Sequence, residues 1–474
     1  VGALELEPAA AADDVARDEL LAQIRDRLLA KLRRQREHAL EMYAWYEGEQ
    51  DPPNQPVDPA YGYSGAFNRL RRMARGAWAR LIVDALTERL ELQGIRTTLG
   101  QDADDAAWTL LQDNHIDADQ HDVYAEAFIT GHTYVSVGAS DAGGVRIAPE
   151  TVLEVTHEHA PGDRRATTAA LKLFQLLEGG PTWVAELYTA DEVAVWTAEL
   201  PRKGRTPLGE RTSVPWHGPT VAGQPLGAVP FVTFANRPTA ATPGEGELRE
   251  LIPVMQRLDE LQLAKMVAAH TSIFRQKWAT GMQVPKDPDT GKPVSPFKES
   301  VERVWISEKE GTRFGSFEAT DIAQYLKAID SEIAELAAIS RIPSYYLVQS
   351  ELANPPSADS LIAGEAGLVS KLRDRQRGFG ESWEQVVRLA AQAGDQAELA
   401  GDRQLEMVWA PLERRSPAVI ADAATKLDSI DVPWATLMEL IGFSPQAIER
   451  MRTERAAEAL LEPILEPAGV GAGQ

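Results

Sequence analysis

The chain has 474 residues, 44% of them hydrophobic, and carries 71 acidic against 48 basic side chains for a formal net charge of −23. That length exceeds one compact core, so roughly two to four sub-domains are expected, and the absence of cysteine excludes disulfides and thiolate zinc sites. No apolar run reaches the ~18 residues of a membrane helix, and the acidic, alanine-rich start lacks the basic and apolar regions of a signal peptide.

Residues 1–12 read as a disordered arm. From 13 to 47 the apolar residues Val15, Leu20, Leu21, Ile24, Leu28, Leu32 and Met42 share one helical face, with Arg33, Arg34 and Arg36 opposite. Tyr43, Trp45 and Tyr46 cluster before Gly48, and residues 51–66 are loop by their proline, glycine and aspartate content. A second helix is predicted from Asn68 to Leu90, closed by Gly94. A third falls in QDADDAAWTLLQDN and a fourth over Asp117–Thr130, ended by Gly131. Residues 133–137 alternate as a strand. From 144 to 235, short apolar runs separated by Gly, Pro, Asp or charged breaks predict an antiparallel sheet region, solvated on one face.

A short strand then ends at Asn236-Arg237-Pro238, Gly244 and Gly246 mark a turn, and a long helix follows over about Glu247–Phe274. Its apolar positions include Leu251, Met255, Leu258, Leu261 and Met266; Pro253 marks either a kink or the true first turn. Residues 279–318 hold a turn-rich excursion and a strand, ERVWIS. A helix from about Asp321 to Ala338 carries Ile322, Leu326, Ile329, Ile333 and Leu336, stepping four, three, four, three. That spacing fits a narrow coiled-coil-like seam or one side of an ordinary packed helix. The proline-containing linker 341–357 precedes a long helix to about Ala393, capped by Ser357 and loosened by Gly364, Gly367, Gly378 and Gly380. The strand LEMVWA occupies 405–410, and Ser416-Pro417 and Ser444-Pro445 each start a short helix.

Motifs of chemistry are sparse. There is no phosphate-binding Gly-x-x-x-x-Gly-Lys-Ser/Thr and no Gly-x-Ser-x-Gly elbow; GTRFGS at 311–316 lacks the lysine. His157 and His159 lie on one strand face, a spacing that can chelate a metal, but the helical His-Glu-x-x-His is missing and a turn follows. DPDTG at 287–291 lacks the remaining ligands of a calcium loop and reads as a turn. No catalytic residue, metal site or cofactor is assigned.

The wording of several segments resembles the portal proteins of tailed bacteriophages, in the branch of siphophages and actinobacterial phages. The segments are MYAWYEGEQ, IVDALTERLELQGIR, LLQDNHIDADQHDVYAEAFITGHTYVSV, VPFVTFANRP with GEGEL, NPPSADSL with KLRDRQRGFGESWEQVVRLA, VWAPLERRSPAVIADAATKL and FSPQAIERM. Each alone is weak; their order and spacing over about residues 30–460 are specific. The resemblance implies an α+β, mainly helical portal fold. Its parts would be a disordered arm (1–12), an α/β wing (13–245), a first stem helix (246–275), a small β clip (276–319) and a second stem helix (320–340). A tunnel loop (341–357), a spine helix with a returning wing strand (358–415) and a helical crown with the C-terminal tail (416–474) would follow. Gln349, Ser350, Glu351 and Asn354 would face the DNA channel, anchored by Tyr345, Tyr346 and Leu347. Leu251, Leu258, Leu261, Ile322, Leu326, Ile329, Ile333 and Leu336 would pack the stem.

The function implied is a homo-oligomeric ring, a dodecamer in virions, at one capsid vertex. Double-stranded DNA would pass through it without sequence specificity. Its partners would be the terminase large subunit, major capsid and scaffold proteins and a head-tail adaptor, with no membrane and no cofactor; it would assemble in the host cytoplasm. The acidic charge suits solubility, and it also suits a wall that repels phosphates and binds DNA weakly. Competing readings are an acidic α/β hydrolase using paired carboxylates and a different ring-forming head-tail connector.

Overall fold

The computed structural model describes residues 7–53, 65–98, 104–139, 143–176, 182–199, 208, 214–239, 242–273, 277–281, 291, 311–316, 321–347, 358–413 and 417–465. The chain opens with one long helix, α1 (Glu7–Glu47). It starts at Glu7, so the arm expected over 1–12 gives way to helix from that point, while residues 1–6 lie outside the described set. Leu21, Leu28, Leu32, Ala39 and Met42 are buried along its length, at the spacing of one helical face. Its polar face does not simply meet water. Gln35 donates to the carbonyls of Val152 and Val155, both at 2.7 Å, Arg36 to that of Leu153 at 3.0 Å, and Lys31 to that of His157. These bonds lay α1 along a strand of the sheet region.

The helix expected over 68–90 is two helices, α2 (Gly65–Met73) and α3 (Trp78–Thr87). Between them the Gly76 amide donates to the Asp259 carboxylate at 2.8 Å, and a Cβ at Gly76 would lie 2.4 Å from the Trp78 ring. A distant acceptor thus takes an amide that a continuous helix would keep. Gly94, expected to close that helix, lies inside a strand, β1 (Leu92–Arg96). Then come α4 (Asp105–Gln112), whose Asp104 cap accepts from the Ala107 amide at 2.8 Å, and α5 (Ile116–Thr130), closed by Gly131 at φ +100°.

The β region contains β2 (His132–Ala139), β3 (Val145–Glu150), β4 (Val155–Ala160), β5 (Asp163–Leu176), β6 (Thr182–Thr189), β7 (Glu192–Glu199), β8 (His217–Gly223) and β9 (Phe231–Ala235). They form a three-stranded sheet, order β3-β2-β9, and a five-stranded sheet, order β4-β5-β6-β7-β8, all antiparallel. β8 had no forecast: HGPTVAG alternates poorly and most of it is exposed. The buried side chains Leu21, Leu28 and Leu32 of α1 pack with Leu171, Leu187 and Trp196 of the larger sheet.

The remaining elements are α6 (Ile252–Ile273), β10 (Lys277–Thr280), β11 (Arg313–Ser316), α7 (Ile322–Ser340), α8 (Ser344–Leu347) and α9 (Ala358–Ala393). After them come α10 (Ala397–Ala400), β12 (Glu406–Trp409), α11 (Pro417–Asp428), α12 (Trp434–Ile441) and α13 (Pro445–Leu465). α6 begins later than expected, so Pro253 sits in its first turn, where a missing N–H costs nothing. ERVWIS and DPDTG's first four residues lie outside the described residues. β12 returns to pair antiparallel with β1. α9 runs unbroken through its glycines and supplies the centre of the main core. Phe379 stacks on Tyr124 with ring centroids 5.3 Å apart, and Trp383 meets Phe234 edge-on at 4.7 Å while donating to the Tyr124 hydroxyl at 2.9 Å. Each such fully buried aromatic contributes about 1.5–3 kcal/mol relative to exposure.

Candidate functional site: the α6–α7 pair and its footings

The segment ANRP…GEGEL is where three parts of the chain cross. β9 ends at Ala235, and the next amide, Asn236, donates to the Gly131 carbonyl at 2.8 Å. The Glu245 amide returns to the Asn236 carbonyl at 2.8 Å, and the Glu247 amide reaches Phe128 O at 2.7 Å. The backbones approach so closely that a Cβ on Gly244 would stand 2.1 Å from Gly131 O, and one on Gly246 2.4 Å from Ile129 O. These two positions therefore require glycine for space. Asn236, fully buried, donates from Nδ2 to Glu245 O at 2.7 Å and to Glu247 Oε1 at 3.1 Å.

Glu247 is the hub. Its carboxylate is 3% exposed and sits 2.6 Å from Lys371 Nζ and 3.1 Å from Arg375 Nη2, both on α9. Burial pushes its pKa up, but the two cations and their hydrogen bonds outweigh that and hold it below its ordinary value. Lys371 also donates to Ser340 O at 3.0 Å, the last residue of α7. One carboxylate thus ties the start of α6 to α9, and its lysine ties in the end of α7.

α6 and α7 pack side by side. β10 and β11 join them as an antiparallel ladder from Lys277↔Ser316 to Thr280↔Arg313. Arg257, early in α6, bridges Glu332 at 2.8 Å and Glu335 at 2.9 Å, late in α7. The two helices are therefore antiparallel, with β10 and β11 at the far end. Leu251, Leu258, Ile329, Ile333 and Leu336 are buried at the near end. Leu261 and Ile322 are half-buried. Leu326, placed in the seam by its spacing, is 48% exposed, and Ile339 is 41% exposed. Within the single chain, Leu326 is thus left open at its seam position. Among the described residues the seam is buried from Ile329 to Leu336, and before Ile329 it is only partly covered, with Ile322 half-buried and Leu326 exposed.

The residues expected to anchor the loop lie on and beside α8. Leu347 is buried. Tyr345 and Tyr346 are half-buried, their rings 5.0 Å apart. Tyr345 donates to Glu365 at 2.5 Å, and burial together with that carboxylate pushes its phenol up. Arg89 Nη2 bonds Glu365 at 2.7 Å and the Tyr346 hydroxyl at 2.5 Å, while Nη1 donates to Leu412 O at 3.2 Å. The expected channel residues Gln349, Ser350, Glu351 and Asn354 lie outside the described residues. The Arg89–Glu365 pair escaped the sequence reading: nothing local links a residue after α3 with one in α9.

On α6 itself, Asp259 is 2% exposed and accepts from Gln50 Nε2 at 2.9 Å and from Gly76 N. Burial raises its pKa to about 6 against an ordinary 3.8. The histidine pair noted in the sequence is turned inward: His157 Nε2 lies 2.7 Å from His159 Nε2, and His157 Nδ1 lies 2.8 Å from the Tyr134 hydroxyl. Burial, then Lys31, pushes both imidazoles below their ordinary pKa. No group of three or more metal-ligating side chains occurs among the described residues. A cavity of about 810 Å³ between the two larger sheets is lined by Glu150, Lys172, Glu186 and Tyr188. There Glu150 is paired with Lys172 at 2.7 Å and Glu186 accepts from Tyr188 at 2.7 Å. No described helix is long and apolar enough to cross a membrane.

Comparison with known proteins bears on this arrangement directly. The family described as phage portal protein, SPP1 Gp6-like, matches residues 25–459. The chain is 25% identical to the portal protein of Mycobacterium phage D29 over 478 residues, which cover 94% of this chain and 89% of that protein. It is 26% identical to the portal protein of Mycobacterium phage L5 over 442 residues, covering 88% and 85% respectively. Neither match supports a hydrolase or a small adaptor.

Proposed function

Because the chain belongs to the SPP1 Gp6-like family of phage portal proteins, we propose that it closes into a ring whose stem helices α6 and α7 cover each other's open seams between neighbouring copies. The protein is a phage portal protein, a virion component. The observation that supports the ring is the stem: Leu326 and Ile339 stand exposed on a helix whose Ile329, Ile333 and Leu336 are buried. Contacts between unlike faces of identical subunits close into rings when the rotation permits, and by resemblance twelve copies would do so.

On this reading the segment after Leu347 is the tunnel loop, held by Tyr345, Tyr346 and Leu347, with Gln349, Ser350, Glu351 and Asn354 facing DNA. Those residues are polar and carry no cation, so they pass phosphates without gripping them. The ring would dock the terminase, meet capsid and scaffold proteins, and hold head-tail adaptors. It would bind DNA weakly, with little sequence preference, and hydrolyse no ATP. Native mass measurement together with electron micrographs of purified protein tests the ring. Closed rings with an axial hole are expected; a stable monomer at micromolar concentration overturns the reading.

A further inference from the structure

Identical subunits of charge −23 repel one another, so a ring of them needs a face whose charge complements the next copy. One segment of the chain has that character. Residues 65–80 contain Arg69, Arg71, Arg72, Arg75 and Arg80 and no Asp or Glu. Two of these arginines serve their own fold. Arg71 donates to Pro53 O at 2.8 Å and Pro52 O at 3.3 Å, and Arg80 lies over the Tyr46 ring at 5.0 Å. Arg69 and Arg72 are exposed and have no acceptor among the described residues. Arg75 Nε is shut off from water without a partner.

α2, which carries Arg69 and Arg72, packs against α6, so this face stands beside the stem. Met73, at its end, is 60% exposed. A bare phosphate backbone offers nothing to an exposed methionine; a protein surface with acidic and apolar side chains does.

We propose that the outward face of α2, formed by Arg69, Arg72 and Met73, docks on an acidic face of the adjacent copy and offsets the repulsion between like-charged subunits. This rests on the ring reading. Because the two arginines sit where water and salt reach them, the contact is screened as ionic strength rises.

The experiment measures assembly of the full chain by analytical ultracentrifugation across a salt series, for the unmodified protein and for R69E/R72E and R69Q/R72Q. The unmodified ring is expected to need more protein for half-assembly as salt increases. R69E/R72E should need at least about tenfold more protein at low salt, R69Q/R72Q an intermediate amount, and both should lose most of the salt dependence. Thermal unfolding of each variant, unchanged from the parent, shows that the fold survives; R69Q/R72Q, which adds no repulsion, keeps the test valid if the double glutamate does not fold. Rings of both variants that assemble like the parent overturn the proposal. So do variants with unaltered rings and reduced binding to a DNA duplex, a result that reassigns the face to nucleic acid. A parent protein that is monomeric at every salt concentration overturns the ring reading instead.

Discussion

Replacing Glu247 with alanine should unfold the molecule from the foot of the stem. The substitution removes the one carboxylate among the described residues that meets both Lys371 and Arg375, whose side chains are each 9% exposed. Two cations would then stay buried at short range with one anion gone, and the Asn236 amide would lose an acceptor. Removing one partner of a buried charged pair costs about 3–5 kcal/mol, chiefly through the uncompensated charge. A lost hydrogen bond to a charged acceptor adds to this, so the low end of that range is the minimum expected. Glu247→Gln keeps the shape and an oxygen for Asn236 and should lose less. The assay is urea unfolding followed by tryptophan fluorescence at neutral pH, comparing midpoints at constant slope. The pH dependence supplies a second check. A carboxylate held below its ordinary 4.5 contributes stability that is present above that pH and fades as pH falls below it. The parent should therefore lose stability below pH 4.5 more steeply than Glu247→Gln. If Glu247→Ala unfolds within about 1 kcal/mol of the parent, a single surface-like loss, the assignment of Glu247 as the hub is wrong.

Asp259 should show the opposite sign. Its folded pKa of about 6 exceeds the ordinary 3.8, so the native state takes up a proton that the unfolded chain does not, and this contribution grows as pH falls from about 6 towards 4. The difference corresponds to about 3 kcal/mol; Asp259→Asn should match or exceed the parent's stability at pH 7.5 and flatten the profile between pH 4 and 6, and an unchanged profile would contradict the assignment. Gly246→Ala forces a Cβ to 2.4 Å from Ile129 O and should cost roughly 1–3 kcal/mol or more by calorimetry; a neutral result would mean the crossing has slack. Leu326→Asp changes an exposed residue, so its monomer should melt within about 0.5 kcal/mol of the parent. Sedimentation should nevertheless show rings lost, and intact rings would remove Leu326 from the inter-subunit seam. Exchanging Gln349–Asn354 for a glycine-serine loop should leave rings intact and abolish DNA packaging in a reconstituted system; normal packaging by such rings would dismiss the tunnel-loop assignment.

Gly244 and Gly246 were legible as turn residues, but the backbone that makes glycine necessary there, at Gly131 and Ile129, lies far along the chain. Helix and strand identity followed periodicity wherever one element packs on one face, as in α1, α5 and β5 to β7. The failures share a cause. The apolar pattern runs on through 68–90, yet the helix breaks at Gly76 because Asp259, far along the chain, takes the amide. β1 is a strand because β12 pairs with it, and GIR alone does not announce that. Leu326 has the spacing of a seam residue, but periodicity reports only that a face is apolar and not which molecule covers it. The Arg89–Glu365 and Gln50–Asp259 contacts left no trace in local pattern, since polar residues that find buried partners look like surface residues in sequence.

Within three turns α9 contacts α8, the end of α7 and Glu247, ahead of α6. Glu365 holds Tyr345 and, through Arg89, Tyr346; Lys371 holds Ser340 O and Glu247; Arg375 holds Glu247 again. From Glu365 to Arg375 the helix rises about 15 Å. The foot of α6, the end of α7 and α8 are therefore all held on one helix, whose far half is buried through Phe379 and Trp383 in the main core. Along α9 the Glu365 contacts come first, the charge pairs around Glu247 next, and the aromatic core last. Polar contacts are directional and short in range, whereas the aromatic packing is dense and resists compression. The short polar contacts of α8 and of Glu247 therefore rest on a helix that the dense aromatic core holds in place.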